Sequence, residues 1–362
     1  MNFTTLKFSN SSGDEFVKVL NRRIRLYFKE NNLSRTGNYE MVLKTIFMFS
    51  LYFIPYFVLI FGFVTNPWMI TLMWILMGFG MAGIGLSVMH DANHGAYSSK
   101  KTVNDVIGRV LIFLGGYAPN WKLQHNVLHH TYTNVHGYDE DIDAPSFILR
   151  FDPHQKRNKL HRYQHIYAWF FYGLMTLMWA TSKDFKQLFR YKKMGITKLE
   201  SNNFGLMLTE MIVSKLVYHF LFLVLPILLL PVAWWVTLLL FLLMHFIAGL
   251  ILAMIFQPAH VMQTTEFPLP KDGTIENDFA VHQILTTTNF APENKIFSWF
   301  VGGLNYQIEH HLFPNVCHIH YKNLSKIVRE TTKEYGLPYN SQDSFWAALR
   351  MHTQMLRQLG RA

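Results

Sequence analysis

The sequence is poor in charge and in cysteine. Charged residues make up 15% of its 362 residues, whereas half of the residues are hydrophobic. The one cysteine, Cys317, excludes an internal disulfide framework and a metal cluster built on cysteine ligands. Internal repeats, low-complexity tracts and the short apolar core of a cleaved signal peptide are also missing from the sequence. A secreted disulfide scaffold and a repeat protein are therefore excluded.

Two long stretches contain no Asp, Glu, Lys or Arg, namely 45–90 and 216–265. Each stretch is about twice the ~20 apolar residues that cross a bilayer as a helix. Pro67 and Pro231 interrupt them and favour turns. The sequence therefore predicts an all-α integral membrane protein with two helical hairpins. The four predicted spans cover about 45–64, 68–90, 216–230 and 233–256.

The net charge of +10 does not indicate nucleic-acid binding, because the basic residues flank the apolar hairpins. All 33 Lys and Arg lie before the first hairpin, between the hairpins or after the second one. Four crossings place these three regions on one side of the membrane, and the positive-inside rule makes that side the cytoplasm. Both termini are therefore expected to be cytoplasmic.

A third charge-free segment, 163–182, is almost long enough to cross the membrane. A crossing there would put the basic residues before and after it on opposite sides. Its tyrosine and tryptophan residues suit the membrane interface. We therefore expect a helix that lies in the interface, and we expect 321–362 to form a helical cytoplasmic cap.

The chain has 18 histidines, and several of them form three clusters. Residues at i and i+4 share one face of a helix, so His90 with His94 and His125 with His129 can point at common centres. Neighbouring residues diverge by about 100°, so adjacent histidines can serve different metals. The clusters consist of His90 and His94; of His125, His129 and His130; and of His310 and His311, preceded by Gln307.

The clusters lie at the end of the second predicted span or beyond the spans, so all three are expected at the cytoplasmic surface. His260 ends the fourth span and emerges on the same side. Eight histidines exceed the ligands of one ordinary centre, and zinc needs only about four and has no redox chemistry. We therefore predict two iron ions. Gln307, His318 and His320 are expected nearby, either as ligands or as hydrogen-bond partners of ligands.

Other polar groups have simpler interpretations. We expect His219 and His245, inside predicted spans, to bond neighbouring helices, and we expect His161 and His352 to lie at the surface or interface. The acidic run from Asp139 is expected to be solvated, with hydrogen bonds to the second cluster as the alternative. A metal transporter would carry its ligands near the membrane midplane. The clusters lie at span ends instead, which favours an enzyme.

The motifs HDANH, HNVLHHTYTN and GGLNYQIEHHLFP together resemble those of the membrane fatty acid desaturases. The third motif, which begins its QIEHH part with Gln307, resembles that of the front-end subgroup of desaturases. The first two motifs resemble those of bacterial Δ6 desaturases. The resemblance covers about 45–350. It implies four transmembrane helices under a cytoplasmic cap with two irons, and it implies a ligand role for the histidines of the three clusters and for His260. On this basis 45–320 forms the desaturase domain and 1–44 a cytoplasmic N-terminal segment.

The resemblance implies oxygen-dependent insertion of a cis double bond into an acyl chain, carried by CoA or by a lipid. It indicates Δ6 chemistry on 18-carbon polyunsaturated substrates. A hydroxylase, or a desaturase of other regiochemistry, is the alternative. The haem motif of fused cytochrome b5 domains is missing from the sequence, so electrons are expected from a separate ferredoxin or cytochrome b5. The other expected partners are membrane lipids.

Overall fold

A computed structural model describes residues 3–9, 14–143 and 147–362. Within these ranges the chain is mainly helical, with two pairs of very short parallel strands. Before and within the first hairpin lie β1 (Lys7–Phe8), α1 (Asp14–Glu30), α2 (Tyr39–Ile60), α3 (Pro67–Gly83) and α4 (Met89–Asn93), with a π turn at Ile84–Val88.

The region between the hairpins consists of short helices and turns. It contains α5 (Lys101–Gly108), a 3-10 turn (Arg109–Leu114), α6 (Ala118–Lys122), a π turn (Leu123–His129), a 3-10 turn (Leu160–Tyr163), α7 (Gln164–Gly173), α8 (Met175–Met178), a π turn (Trp179–Lys183), α9 (Asp184–Met194) and a 3-10 turn (Ile196–Leu199).

The second hairpin and the C-terminal segment complete the fold. They contain α10 (Phe204–His219), a π turn (Phe220–Val224), α11 (Leu225–Leu229), α12 (Trp234–His260), β2 (Thr274–Ile275), α13 (Phe279–Thr286), β3 (Asn289–Phe290), α14 (Lys295–Phe300), α15 (Gln307–Leu312), a 3-10 turn (His318–His320), α16 (Tyr321–Glu334), β4 (Ser341–Gln342) and α17 (Phe345–Leu359).

Four helices of the described chain are long and apolar enough to cross a membrane, as predicted. Their bounds differ from the charge-free runs, and they are Tyr39–Ile60, Pro67–Asn93, Phe204–Leu229 and Trp234–His260. The first and third helices begin earlier because capping asparagines start them: Asn38 accepts from the amides of Glu40 and Met41, and Asn203 accepts from that of Leu206. Lys44 and Lys215 thus lie inside these helices, where both are buried.

The segment 163–182 is not one helix. α7 and α8 are separated at Leu174, and a π turn follows at Trp179–Lys183. Both short helices pack against α12, as does α17. A Cβ atom at Gly249 of α12 would lie 2.6 Å from the carbonyl oxygen of Gly173, so glycine is what allows α7 to approach α12 closely. The segment is thus anchored on the fourth span.

The ends of the spans that carry chemistry lie together. Lys44, near the start of α2, contacts His318, which follows α15. His260, the last residue of α12, has its ring centroid 4.8 Å from that of His311. One end of the helical bundle therefore meets the C-terminal segment, while the strand pairs β1–β2 and β3–β4 join distant parts of the chain beside it.

Candidate metal centre

The first group of converging histidines joins three separate elements. His90 and His94 come from the end of the second span, His125 comes from the π turn after α6, and His310 comes from α15. One ligand nitrogen of each lies within 4.8 Å of all the others. The Nε2 atoms of His90 and His125 are 3.2 Å apart. Four imidazoles therefore face one point.

The second group lies beside the first and consists of His129, His260 and His311, all buried. His130 lies between the groups: its Nε2 atom is 2.9 Å from that of His310, and its ring stacks at 4.2 Å on that of His311. The structure thus gathers seven of the eight predicted histidines into two adjacent ligand sets, with His130 between them. Their role as ligands stays a prediction.

The second cluster does not follow the geometry expected from an α-helix. A π turn spans Leu123–His129. We expected His125 and His129 to face one centre, and one nitrogen of each does lie within 4.8 Å of the other and of an Asp141 carboxylate oxygen. The amide of His130 donates to the carbonyl of His125, five residues earlier, and their Nε2 atoms lie 3.3 Å apart. The wider turn therefore pairs His125 with His130 and directs His129 to the second group.

Several rings present Nε2 to the interior and hold Nδ1 with an oxygen acceptor outside. The Nδ1 atom of His129 lies 3.0 Å from Asp139 Oδ1, and that of His311 lies 2.9 Å from Gln283 Oε1. The Nδ1 atom of His260 lies 3.3 Å from the carbonyl oxygen of Thr286. A proton on Nδ1 leaves the lone pair on Nε2, which is the form that binds a metal.

Gln283 was not identified from the sequence, and contact between Asp139 and the second cluster was given only as the alternative. The expectation that the acidic run is solvated was wrong for Asp139, which is buried because it accepts hydrogen bonds from His129 and from the amide of Asn134. The alternative, contact with the second cluster, holds. Gln283 also accepts from Thr133 and donates to the carbonyl of His130. No motif marks this glutamine, since its partners lie far away in sequence.

Some of the candidate ligand nitrogens lack a hydrogen-bond partner within the described residues. Within the described residues, Nε2 of His94, His260 and His311 is buried without a hydrogen-bond partner. An unpaired polar atom inside a protein is costly, so such atoms usually have a ligand. The donor set is all imidazole, which suits iron, copper, zinc and nickel. The residues present therefore fit a metal centre with more than one ion.

The electrostatics also favour metal binding. Burial, together with repulsion from neighbouring imidazoles, holds the pKa values of His94, His125, His130, His310 and His311 well below the ordinary value. These rings are therefore neutral at pH 7 and can donate lone pairs. Burial also opposes charge on His129, but the carboxylates of Asp139 and Asp141 outweigh it and raise its pKa to about 9. The carboxylates favour positive charge there, from a proton or a metal ion.

The three additional candidates occupy different positions. Gln307 is buried and donates its amide to the carbonyl of Leu304. His318 turns away from the histidine groups, since its Nδ1 atom lies 2.8 Å from Asp91 Oδ2. His320 packs edge-on against Phe28 at 5.0 Å, outside the two ligand sets.

The histidines inside the membrane spans, His219 and His245, have hydrogen-bond partners in the protein. His245, on α12, lies 2.8 Å from the hydroxyl of Tyr218 on the neighbouring helix α10, as expected. The expectation was wrong for His219, which lies 2.8 Å from the carbonyl oxygen of Lys215 in its own helix. The expectation that His161 and His352 are at the surface was wrong, because both are buried. α17 packs on α7 and α12, and this packing encloses His352.

The ring of Trp121 lies between the histidine centre and a narrow crevice. The ring of Trp121 lies 4.5 Å from that of His125 and 5.5 Å from that of His90. The crevice continues from Trp121 along Leu111, Tyr117 and Trp179. It is too narrow for a water molecule as it stands, so a ligand needs these side chains to move apart.

Sequence comparison decides the family. The model of the fatty acid desaturase family matches residues 66–343. The chain belongs to the fatty acid desaturase family. It is thus an integral membrane oxidoreductase that acts on fatty acyl chains, and the transporter alternative does not hold.

Named relatives of this desaturase cover almost its full length. The acyl-lipid (8-3)-desaturase of Physcomitrium patens is 36% identical over 98% of the chain and 74% of the relative. The sn-1 linoleoyl-lipid 6-desaturase of Arthrospira platensis is 34% identical over 99% of the chain and 96% of the relative. The enzyme of the same name from Synechocystis sp. is also 34% identical, over 99% and 98%.

Proposed function

We propose that this desaturase uses dioxygen and two iron ions to insert a cis double bond at Δ6 of a lipid-linked 18-carbon chain that already contains double bonds. The observation that carries the metal assignment is the pair of adjacent all-imidazole ligand sets. His90, His94, His125 and His310 would hold one ion, and His129, His260 and His311 the other. His130 faces both sets and would complete them.

Iron is the assignment that suits the reaction. The methylene C–H bonds of an acyl chain carry no acidic proton, so side-chain acids and bases cannot break them. Two iron ions with dioxygen would supply the oxidising chemistry for that step. Zinc lacks redox chemistry, and eight histidines are more than one zinc site needs. Hydroxylation by the same kind of centre is the alternative outcome, and it is read out in the same product analysis.

The protein's own residues orient and shield the centre. Asp139, Gln283 and the Tyr321 hydroxyl hold the outer nitrogens of His129, His311 and His310, so the rings keep the tautomer with Nε2 free. The aromatic side chain of Trp121 covers three of the first-set histidines. An acyl chain that enters the crevice beside Trp121 would displace no water, since the crevice is too narrow to hold one; Gln124 and Asp184 line it beside the aromatic side chains.

The regiochemistry rests on the relatives and on Gln307. The two cyanobacterial relatives carry the name sn-1 linoleoyl-lipid 6-desaturase, and they are matched over nearly their whole length. Relatives named as (8-3)-desaturases are similarly close. We infer that the place where the lipid head group is held decides which carbon atoms of the acyl chain reach the metal centre. Linoleate esterified to a lipid is the proposed substrate, and the new bond lies on the carboxyl side of the existing ones.

Electron supply and orientation complete the proposal. We infer that a separate ferredoxin or cytochrome b5-type protein donates the electrons. The net charge of +10 would attract an acidic protein of this kind. Both termini and the metal centre lie on the cytoplasmic side, where the positive-inside rule places the basic regions.

The test is expression in a host that lacks polyunsaturated fatty acids, with linoleate supplied. Gas chromatography and mass spectrometry of derivatised fatty acids locate the new double bond. We expect γ-linolenate, and none from a host expressing the His311→Ala variant. A new bond only on the methyl side would overturn the front-end assignment, and a hydroxylated product would overturn desaturation as the main reaction.

A further inference from the structure

A cavity with several charged residues in its lining lies apart from the crevice beside Trp121, and the two share no lining residue. It has a volume of about 180 Å³, and it opens between the start of α2, the helix α14 and the start of α16. Three lysines line it, namely Lys44, Lys295 and Lys322, together with Trp299 and His318. None of the eight proposed ligands lines this cavity.

The floor of the cavity is a buried ammonium group. Lys44 is 3% exposed, and its Nζ atom lies 2.6 Å from His318 Nε2. His318 Nδ1 donates to Asp91, so its Nε2 atom can accept from Lys44. An ammonium group has three N–H donors. The contact with His318 uses one of them, and Lys44 forms no ion pair with a described carboxylate. The remaining donors are available to an anion.

The walls add positive charge. Lys295 is exposed at the start of α14, and Lys322 is partly buried on α16. Two acids balance them in part: Glu40 lines the cavity, and Glu293 lies 3.9 Å from Lys322 but is almost wholly exposed. Among the residues that line the cavity, three lysines face one carboxylate, so it attracts negative charge.

The position of the cavity indicates which kind of anion it binds. Lys44 is in the second turn of the first membrane span, and the ring of Trp299 covers its Nζ atom at 5.2 Å. Around it, Ile296, Phe47 and Leu43 are large apolar side chains exposed on the protein surface. Lysine and tryptophan beside exposed apolar side chains at a span end are typical of the lipid head-group region. A soluble anion would not need this apolar rim.

We propose that this cavity, which no desaturase role above uses, binds the phosphate of a membrane phospholipid. Lys44 donates from the floor, Lys295 and Lys322 contribute from the walls, and the acyl chains lie over Ile296 and Phe47. The ligand class is a glycerophospholipid, and the inference stands whether or not the proposed regiochemistry is correct.

The test is binding of a short-chain phospholipid to the purified, metal-loaded desaturase in a neutral detergent. The probe is dihexanoylphosphatidate, and tryptophan fluorescence is the readout because Trp299 forms the roof of the cavity. We expect a saturable change that disappears in Trp299→Phe. Dihexanoylglycerol, which has the same chains without phosphate, should give no saturable change.

Charge variants decide which residues bind. Lys295→Ala combined with Lys322→Ala should weaken binding about tenfold or more, since each lysine near a head group attracts its negative charge. Lys326→Ala is the matched control, because Lys326 is exposed one turn further along α16 and does not line the cavity. Lys44→Met should weaken binding further, and retained metal content shows that the variant has folded.

Four results would overturn the proposal. They are absence of saturable binding to the unsubstituted protein, equal binding of dihexanoylglycerol, equal affinity in the lysine double variant, and inorganic phosphate binding as tightly as the lipid. The last result would identify a site for a soluble phosphate compound instead of a phospholipid.

Discussion

The carboxylate of Asp139 faces the imidazole of His129 with both oxygens, which lie 3.0 and 3.1 Å from Nδ1. Asp139 is itself held by the backbone amides of Asn134 and Asp141. A carboxylate fixed in this way sets the tautomer and the direction of the ring that it contacts. Asp139, ten residues further along the chain, therefore sets the orientation in which the His129 ring faces the centre.

Asp139→Asn should lower iron affinity and desaturase activity about 10–100-fold, because loss of such an outer partner typically has that cost. The amide keeps the shape but removes the negative charge that raises the pKa of His129 to about 9. The measurements are iron content of the purified protein and product formation at saturating linoleate. Asp143→Asn is the control, since Asp143 is exposed and contacts Arg190. Equal iron content and activity in the two variants would contradict the assigned role.

The unsubstituted protein should bind about two iron atoms per chain, because two imidazole sets face the centre. His311→Ala should lose iron and all activity, since it removes one of the three rings of the second set, the one that Gln283 orients. His318→Ala should keep most of its iron, because His318 contacts Asp91 and Lys44 and faces neither set. Plasma mass spectrometry gives the metal content. Stoichiometric zinc in an active protein would exclude the two-iron assignment.

The histidine centre was the most predictable part of the molecule. Spacing of four residues places His90 and His94 on one helix face, and the structure puts both in the first set. Adjacent residues diverge around a helix, and His310 lies in the first set and His311 in the second, while both also lie close to His130. The charge-free runs likewise indicated four spans, since sequence hydrophobicity is the main determinant of membrane insertion.

What the sequence did not reveal depends on distant contacts. Gln283, on α13, accepts a hydrogen bond from His311, which lies 28 residues away in sequence. No local pattern distinguishes this glutamine from one at the surface. The π turn at Leu123–His129 has no recognisable signal either, so the pairing of His125 with His130 was missed. Burial of His352 depends on α17 folding back onto α7 and α12, which local periodicity does not encode.

A single cysteine at each of two loops should report the orientation. Phe63 is 75% exposed in the turn between the first two spans, and Lys156 is exposed in the region between the hairpins. The native Cys317 is fully buried and should not react in intact cells. A membrane-impermeant maleimide added outside should label Phe63→Cys and leave Lys156→Cys unlabelled until the cells are opened. The reverse pattern would place the metal centre on the outer face.

The last prediction concerns stability in acid. The hydroxyl of Tyr172 lies 2.7 Å from His352 Nε2, and His352 Nδ1 lies 2.8 Å from the carbonyl oxygen of Val261. Burial lowers the pKa of His352 to about 4. Between that value and the ordinary value of about 6.5, the unfolded chain binds a proton that the folded protein excludes. Stability from neutral His352 is therefore complete above about pH 6.5 and is lost as the pH falls towards 4.

His352→Gln has no group to titrate at this position, so its thermal midpoint should fall less between pH 6.5 and 4.5 than that of the unsubstituted protein. The shift in pKa corresponds to at most roughly 3 kcal/mol of the free energy of unfolding. The comparison uses metal-free protein in detergent, because the metal ligands then contribute equally to both proteins. His154→Gln, at an exposed histidine, should follow the unsubstituted curve. If all three curves run parallel over this range, His352 is not held neutral by its burial, and the packing of α17 must be stabilised by its apolar contacts alone.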